Sequence, residues 1–153
     1  AHFSALISVN QRRSVFHIPC YFFWRKSMTL KNEGYQLMGA AFEVYNELGS
    51  GMAEEIYQQS LEIELSLREI AWVSKQELSV FYKGNELTAK YRPDLRVFGQ
   101  IVVELKAVAE LCSGHEAQLF NYMRIARQPV GYLINFGHKG ELEWRRFIIS
   151  DLK

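Results

Sequence analysis

Three ionisable side chains stand at a spacing that two neighbouring β-strands can bring together. Asp94 follows Pro93 in one predicted strand, Glu104 and Lys106 end the next, and the turn segment 98–100 lies between them. If that segment is a three-residue loop, position 97 pairs with position 101 and Asp94 falls opposite Glu104. Side chains alternate between the two faces of a strand, so Asp94, Glu104 and Lys106 then share one face. A two-residue turn would shift the register and separate them.

We refer to Asp94 and Glu104 as the acid pair. Two carboxylates held close together repel each other unless a cation joins them, and oxygen ligands suit a hard ion such as magnesium or manganese. Such a site could activate water, while Lys106 orients that water or neutralises charge building on a phosphate. The plainer interpretation is a cross-strand salt bridge between Lys106 and either acid. The spacing taken alone favours the salt bridge, because this pattern is common by chance.

A second set of candidates lies on a helix predicted over residues 53–68. Glu54 falls in its first turn, and Tyr57 follows one turn later on the same side. Taken singly, Glu54 is typical of an acid placed at the positive end of a helix. The apolar periodicity of this helix predicts one stripe, formed by Ile56, Ser60, Ile63 and Leu67.

A third set lies on a helix predicted over residues 113–127. His115, Gln118 and Tyr122 occupy positions i, i+3 and i+7, which is one helical face. Taken singly, Tyr122 is typical of a core aromatic residue and His115 of a surface histidine at a helix start, although His115 could also act as a general base or contact a phosphate. Cys112 precedes this helix. We expect its thiol to be inert, because the pattern places no histidine or second cysteine beside it.

The remaining pattern predicts the elements that hold these residues. A first helix is expected over 32–48, ended by Gly49-Ser50-Gly51, and the helix 53–68 follows it. Three antiparallel strands joined by hairpins are expected next, then a helix and two further strands. The predicted strands cover 72–82, 86–97, 101–103, 130–136 and 142–149. Leu95, Val97, Val103 and Leu105 should face the core, and the order of elements predicts an α/β sheet with helices packed on it.

The motifs occur in an order that resembles the GxxExxY family, a branch of the PD-(D/E)xK nuclease superfamily. The matching residues are Gly51, Glu54 and Tyr57, then Pro93-Asp94 and Glu104-Leu105-Lys106, and finally Gln118 and Tyr122, which match the QxxxY element of the exonuclease-like branch. The resemblance covers about residues 32–150. It implies an α/β fold with a restriction-endonuclease-like αβββαβ core, in which a mixed central sheet is flanked by helices.

The resemblance also implies roles for the residues of the site. Asp94 and Glu104 would bind a magnesium or manganese ion, and Glu54 would complete or support its ligand shell. The backbone carbonyl of Leu105 would be a further ligand, and Lys106 would be the catalytic lysine. These roles describe a metal-dependent phosphodiesterase.

The substrate side of such a site would be lined by Gln118 and Tyr122, and Tyr57 and His115 are further candidates there. The function that follows from the resemblance is hydrolysis of phosphodiester bonds in DNA, in preference to RNA. The alternative is a catalytically inactive nuclease fold that binds a partner through the Gln118 and Tyr122 face.

Composition sets limits on these hypotheses. The chain has 153 residues, of which 48% are hydrophobic and 23% charged, as is typical of one globular domain. No run of 18 apolar residues is free of charge, so we predict no transmembrane helix. Cys20 and Cys112 could form one bridge at most, and we expect a reducing, cytoplasmic setting.

Charge is distributed unevenly along the chain. Residues 1–31 carry five basic residues and no acid, whereas residues 32–153 carry 13 basic and 17 acidic residues. An acidic body argues against a broad surface for gripping phosphates, so a partner protein could deliver the nucleic acid. Pairing of exposed sheet edges could also form a homodimer.

The first 27 residues differ from the rest in lacking acids and clear periodicity. An organellar targeting segment is one interpretation, although its cluster of aromatic residues fits poorly. We prefer a leader that precedes a functional protein beginning at Met28. We therefore expect an extension over 1–27 that does not belong to the fold and a nuclease-like domain over 28–153.

Overall fold

The computed structural model describes the backbone of residues 20–150 and the side chains from residue 30 onward. Its three helices are α1 (Cys20–Leu48), α2 (Glu54–Leu67) and α3 (Ser113–Ala126). Its strands are β1 (Trp72–Ser74), β2 (Leu78–Tyr82), β3 (Asn85–Tyr91), β4 (Leu95–Val97), β5 (Ile101–Lys106), β6 (Val130–Asn135) and β7 (Glu143–Ile148). Within the described part of the chain, no helix is long and apolar enough to span a membrane.

Helix α1 begins earlier than its apolar periodicity predicts. It starts at Cys20 instead of near residue 32, because the segment 20–33 contains no proline or glycine to interrupt a helix. The predicted stop is confirmed, since the N–H of Gly49 donates to the carbonyl of Tyr45 (2.8 Å) and Gly49 has a φ of 67°. Of the predicted extension, residues 1–19 lie outside the described residues and 20–27 belong to α1. The boundary at Met28 therefore stays a prediction.

The central sheet has the mixed α/β architecture that was predicted. Its strand order is β1-β4-β5-β6-β7, with β5 and β6 parallel and the other neighbours antiparallel. Buried residues of α1 and α2 pack on one face of this sheet, whereas α3 covers the other face above Val102 and Leu133. A sheet with a helical layer on each side results.

The two long strands predicted before β5 are each divided. Lys75 adopts a positive φ of 47° and separates β1 from β2, while Pro93, which has no N–H to donate, lies between β3 and β4. Strands β2 and β3 pair only with each other and form a separate two-stranded ribbon. The chain therefore leaves the central sheet after β1 and returns at β4.

The buried face of α2 is not the predicted stripe. Ile56, Ile63 and Leu67 are exposed, and the core contains Tyr57, Leu61 and Leu65 instead. Both sets recur at three- or four-residue steps, so periodicity alone does not distinguish them. Packing decides, because the Tyr57 ring stacks on Phe136 at a centroid distance of 4.7 Å.

The connection from β5 to α3 is anchored by a buried amide that the sequence pattern does not single out. The Asn135 Oδ1 accepts hydrogen bonds from the N–H groups of Val108 (3.0 Å) and Gly137 (3.0 Å). Its Nδ2 donates to the Val108 carbonyl (2.9 Å) and to Glu143 (2.9 Å). Glu143 also accepts from the Leu111 N–H (3.1 Å), so the loop that follows Lys106 is fixed at several points.

The loop that follows Lys106 leaves no room for a side chain at Gly137. A Cβ there would overlap the backbone of Ala107 and Val108. We expect Gly137→Ala to lower the free energy of unfolding by about 1–3 kcal/mol, because backbone cannot move aside as a flexible side chain can. Urea denaturation measures this value.

Gly114→Ala in α3 is the matched control for that change. A Cβ at Gly114 would lie 3.6 Å from the Cys112 sulfur, which is an ordinary contact, and alanine favours the helix. The control should be as stable as the wild type or more so. Equal stability of the Gly137→Ala variant and the wild type would contradict the packing described for this loop.

Candidate active site

The register of β4 and β5 is the predicted one. Val97 pairs with Ile101, Arg96 with Val102 and Leu95 with Val103, so residues 98–100 form the three-residue turn. Asp94 directly precedes β4, and the next position opposite it is Glu104. The side chains expected to face the core are all buried, namely Leu95, Val97, Val103 and Leu105.

Asp94 is held by contacts from three directions. Its carboxylate Oδ2 accepts a hydrogen bond from the Leu105 N–H (2.7 Å). Its backbone carbonyl accepts from the Lys75 N–H (3.1 Å) and from the Nε2 of the buried Gln58 (3.4 Å). The sequence analysis missed Gln58, which directly follows Tyr57 on α2. Apolar periodicity does not reveal a polar side chain that is buried on a helix. Together these bonds fix the position of the Asp94 carboxylate relative to β5.

Glu104 is almost completely buried beside Lys106. The Lys106 Nζ donates to the Glu104 Oε1 (2.8 Å), with the two side chains 13% and 3% exposed. The second carboxylate oxygen, Oε2, is buried without a hydrogen-bond partner. Burial and then the charge of Asp94 raise the pKa of Glu104 to about 7, against the lowering effect of Lys106.

The predicted salt bridge therefore exists, but it runs along β5 and not across the strands. The charge of Lys106 acts on both the buried Glu104 and the half-buried Asp94. Lys75 also acts on Asp94, yet the charge of Asp94 still raises the pKa of Glu104. Burial also raises the pKa of Asp94, although the Leu105 N–H and Lys106 act in the opposite direction. The site thus combines an ion pair with a second carboxyl whose charge opposes the ionisation of the first.

Glu54 reaches the acid pair from the beginning of α2. Loss of solvent around its carboxyl raises the pKa of Glu54, Lys106 lowers it, and the charge of Asp94 raises it further. A hydrogen bond with the backbone of Ala107, directly after β5, also acts on this carboxyl. The structure thus brings Glu54 to the end of the strand that carries Glu104 and Lys106.

The donor set fits a hard divalent cation. It consists of carboxylate oxygens, and the partnerless Oε2 of Glu104 is an acceptor that a cation beside Asp94 would satisfy. Among the side chains of residues 30–150, no three His, Cys, Asp or Glu lie close enough together to form a ligand cluster by themselves. Metal binding by the acid pair stays a prediction, as does the participation of Glu54 and of the Leu105 carbonyl.

Gln118 and Tyr122 lie on the face of α3 that approaches the acid pair. The Gln118 Nε2 donates to the Tyr122 hydroxyl (3.1 Å), and the Tyr122 ring is nearly buried. Burial raises the pKa of Tyr122, and the charges of Glu104 and Asp94 raise it further. Gln118 and Tyr122 thus place hydrogen-bonding groups beside the carboxyls. Their position on one face of α3 is the predicted one.

Two other candidates have structural roles. Tyr57 was predicted on the substrate side but is fully buried; its hydroxyl donates to the Gly49 carbonyl (2.7 Å) and accepts from the Met52 N–H (3.1 Å). It therefore shapes the turn before Glu54. His115 caps α3, since its Nδ1 accepts from the Cys112 N–H (3.1 Å).

This cap also corrects the expectation for Cys112. The His115 Nδ1 lies 3.5 Å from the Cys112 sulfur, so a histidine does stand beside the exposed thiol. The three-residue separation brings the two together because the backbone before the helix turns back on the first helical turn.

Comparison with known proteins agrees with this architecture. The family described as the PD-(D/E)XK nuclease superfamily matches residues 31–147. A solved structure described as "Crystal structure of SSO0001" is 19% identical, with a TM-score of 0.50, over 61% of this chain and 48% of that chain. The chain thus spans about half the length of that protein, and the likeness concerns the fold alone. No curated protein matches the chain significantly.

The acid pair predicts how stability changes with pH in the absence of metal. A carboxyl whose pKa is raised from 4.5 to about 7 by folding stabilises the fold below pH 4.5, and this contribution is lost as the pH rises through about 7. We expect the melting temperature in EDTA to fall between about pH 5 and pH 8 for this reason. Glu104→Gln should flatten this part of the profile, because the amide does not ionise.

Glu43→Gln, which changes an exposed carboxyl on α1, is the control and should keep the wild-type profile. Thermal melting followed by circular dichroism at a series of pH values measures all three proteins. A profile for Glu104→Gln as steep as that of the wild type would show that another group causes the dependence.

Proposed function

Because the chain belongs to the PD-(D/E)XK nuclease superfamily, we propose that it is a divalent-metal-dependent nuclease that hydrolyses phosphodiester bonds in DNA. We propose further that it belongs to the GxxExxY branch, on the basis of Gly51, Glu54 and Tyr57. Magnesium or manganese would be the metal. RNA is the alternative substrate, and the cleavage assay includes it.

One observation carries the proposal. The carboxyl of the half-buried Asp94 lies beside that of the buried Glu104, and one oxygen of Glu104 has no hydrogen-bond partner. The salt bridge to Lys106 uses only Glu104, and removing the Asp94 carboxyl from solvent beside it costs stability. A cation bound between the two carboxylates would compensate their charge and give the Glu104 Oε2 a partner.

Each residue then has a definable task. Asp94 and Glu104 would hold the ion, with Glu54 and the Leu105 carbonyl at its periphery. When bound, the ion would act as a Lewis acid and lower the pKa of a bound water. In the reaction the attacking water would release a proton to solvent and its oxygen would bond to phosphorus, while the bond to the sugar oxygen breaks and the leaving oxygen takes up a proton.

Lys106 is suited to act as a cation in this scheme. Burial lowers its pKa, but the hydrogen bond and charge of Glu104 outweigh burial and raise it. The ammonium group therefore stays protonated at neutral pH and can stabilise charge on the phosphate, which is electrostatic catalysis. A lysine that acted as a general base would need the opposite shift.

The remaining candidates would act on the substrate side. Gln118 and Tyr122 would contact the strand beside the scissile phosphate, and His115 lies one to two turns away on the same helix. Tyr57 would act as a positioning residue, because it orients the turn that leads to Glu54. A partner that delivers the nucleic acid, a homodimer and a cytoplasmic location are all compatible with this scheme.

The proposal predicts metal-dependent cleavage that requires the acid pair and Lys106. We expect the full chain to cut DNA in manganese, Asp94→Asn to abolish cutting, and Lys106→Ala to slow it at least about 100-fold. The assay compares linear and circular, single- and double-stranded DNA with RNA of matching sequence. Lys139→Ala, which changes an exposed lysine, is the control and should cut like the wild type.

Cleavage by Asp94→Asn at the wild-type rate would refute the proposed mechanism. Lack of cleavage by the wild type on every substrate would favour the alternative, a nuclease fold that binds a partner without catalysis.

The proposal also predicts stabilisation by the metal itself. An ion that binds only the folded chain adds about 2.7 kcal/mol when its concentration is a hundred times its Kd. Manganese should therefore raise the melting temperature of the wild type and of Glu43→Gln. Asp94→Asn should respond much less, because it lacks one charged ligand, and an equal response would place the bound metal elsewhere.

A further inference from the structure

The ribbon formed by β2 and β3 projects beside the candidate site. Tyr82 pairs with Asn85 across a two-residue turn, in which Lys83 and Gly84 both have positive φ, as tight hairpins require. At the other end of the ribbon, Leu78 pairs with Tyr91. The two ends are separated by four residues along β2, which is roughly 13 Å.

The two faces of the ribbon differ in character. One face carries a polar network, in which Lys90 donates to Ser79 (3.2 Å) and pairs with Glu86, and Ser79 donates to Glu86 (2.6 Å). Phe81 pairs with Glu86 across the strands and so belongs to this polar face. Residues 78–91 contain no other acid, and the opposite face is therefore free of negative charge.

That opposite face, which we call the aromatic face, contains Tyr82 and Tyr91. It leads to the candidate site, because the ring of Tyr91 meets the ring of Tyr122 edge to face at a centroid distance of 5.3 Å. Tyr122 in turn lies beside Glu104 and Asp94. The inner end of the aromatic face therefore packs on α3 beside the candidate site, and its outer end, roughly 13 Å away, is exposed.

The outer end of the aromatic face has the groups that a nucleic-acid strand needs. The Tyr82 ring is 63% exposed, and Leu87 nearby on β3 is 41% exposed. The Lys83 Nζ lies 5.5 Å from the centre of the Tyr82 ring, so a cation stands beside a ring that is open to solvent. An exposed ring can stack on a base, and an adjacent ammonium can pair with the phosphate of the same nucleotide.

We propose that the aromatic face binds unpaired bases of a DNA strand, so that the protein selects single-stranded over double-stranded substrate. This inference rests on the proposed nuclease function and specifies its substrate. Bases within a duplex are already stacked and paired, and exposing one costs a few kcal/mol. Unpaired bases can stack on Tyr82 without that cost, and their backbone continues past Tyr91 toward the acid pair.

The test measures binding without catalysis. The full chain is titrated in EDTA against a fluorescein-labelled single-stranded oligodeoxynucleotide and a duplex of equal length, and fluorescence anisotropy gives the Kd. We expect the single strand to bind more tightly than the duplex. Tyr82→Ala should weaken single-strand binding roughly 5- to 150-fold, which corresponds to the loss of one stacked base, and leave duplex binding unchanged.

Two variants separate stacking from other effects. Tyr82→Phe keeps the ring and should bind the single strand like the wild type. Phe81→Ala removes a neighbouring ring of almost equal exposure (62%) from the polar face, and it should also bind like the wild type. Because both positions are exposed, neither change should affect folding, which circular dichroism checks.

Three outcomes would overturn the inference: unchanged single-strand binding by Tyr82→Ala, an equal loss in Phe81→Ala, or equal affinity of the wild type for duplex. Cleavage by the wild type in manganese is measured separately. If the wild type cuts DNA but Tyr82→Ala binds normally, only the inference about the aromatic face fails. If binding depends on Tyr82 but no substrate is cut, the proposed catalysis fails and the binding surface remains.

Discussion

The placement of two carboxyls against each other, with Glu104 buried and Asp94 half-buried, is the constraint on which the rest of the site depends. Asp94 and Glu104 lose solvent in the same place, and Lys106 compensates only part of their charge. Such an arrangement is unfavourable unless the surrounding fold is stable enough to impose it. The fully buried hydrophobic face of β4 and β5, directly behind the acids, provides that stability.

The fold imposes this geometry through hydrogen bonds to backbone groups. Gln58 and Lys75 hold the carbonyl of Asp94, while Asn135 and Glu143 hold the loop that follows Lys106. These contacts come from α2, from the residue after β1 and from the β6–β7 hairpin, so they converge on the strand ends from different parts of the chain. Side chains that are fixed in this way need little reorganisation when they bind a ligand or stabilise a transition state.

The short-range sequence pattern correctly predicted the register that places Asp94 opposite Glu104, because the pairing of β4 and β5 depends on one turn and on strict alternation. It failed where distant packing decides between equivalent local choices, as in α2, where Tyr57 is buried and Ile63 is exposed. Pro93 could have indicated the division between β3 and β4. The contacts of His115 with Cys112 and of Asn135 with its loop depend on backbone geometry that residue types do not encode in a recognisable motif.

The division of the predicted strand at Pro93 has a mechanical consequence. Only three residues separate Tyr91 at the end of the ribbon from Leu95 in the central sheet, and one of them is Asp94. The middle residue is a buried proline with a restricted φ, so this connection is short and stiff. The ribbon is therefore attached to the central sheet directly beside a carboxylate of the acid pair, so the bonds that hold Asp94 also fix the base of the ribbon.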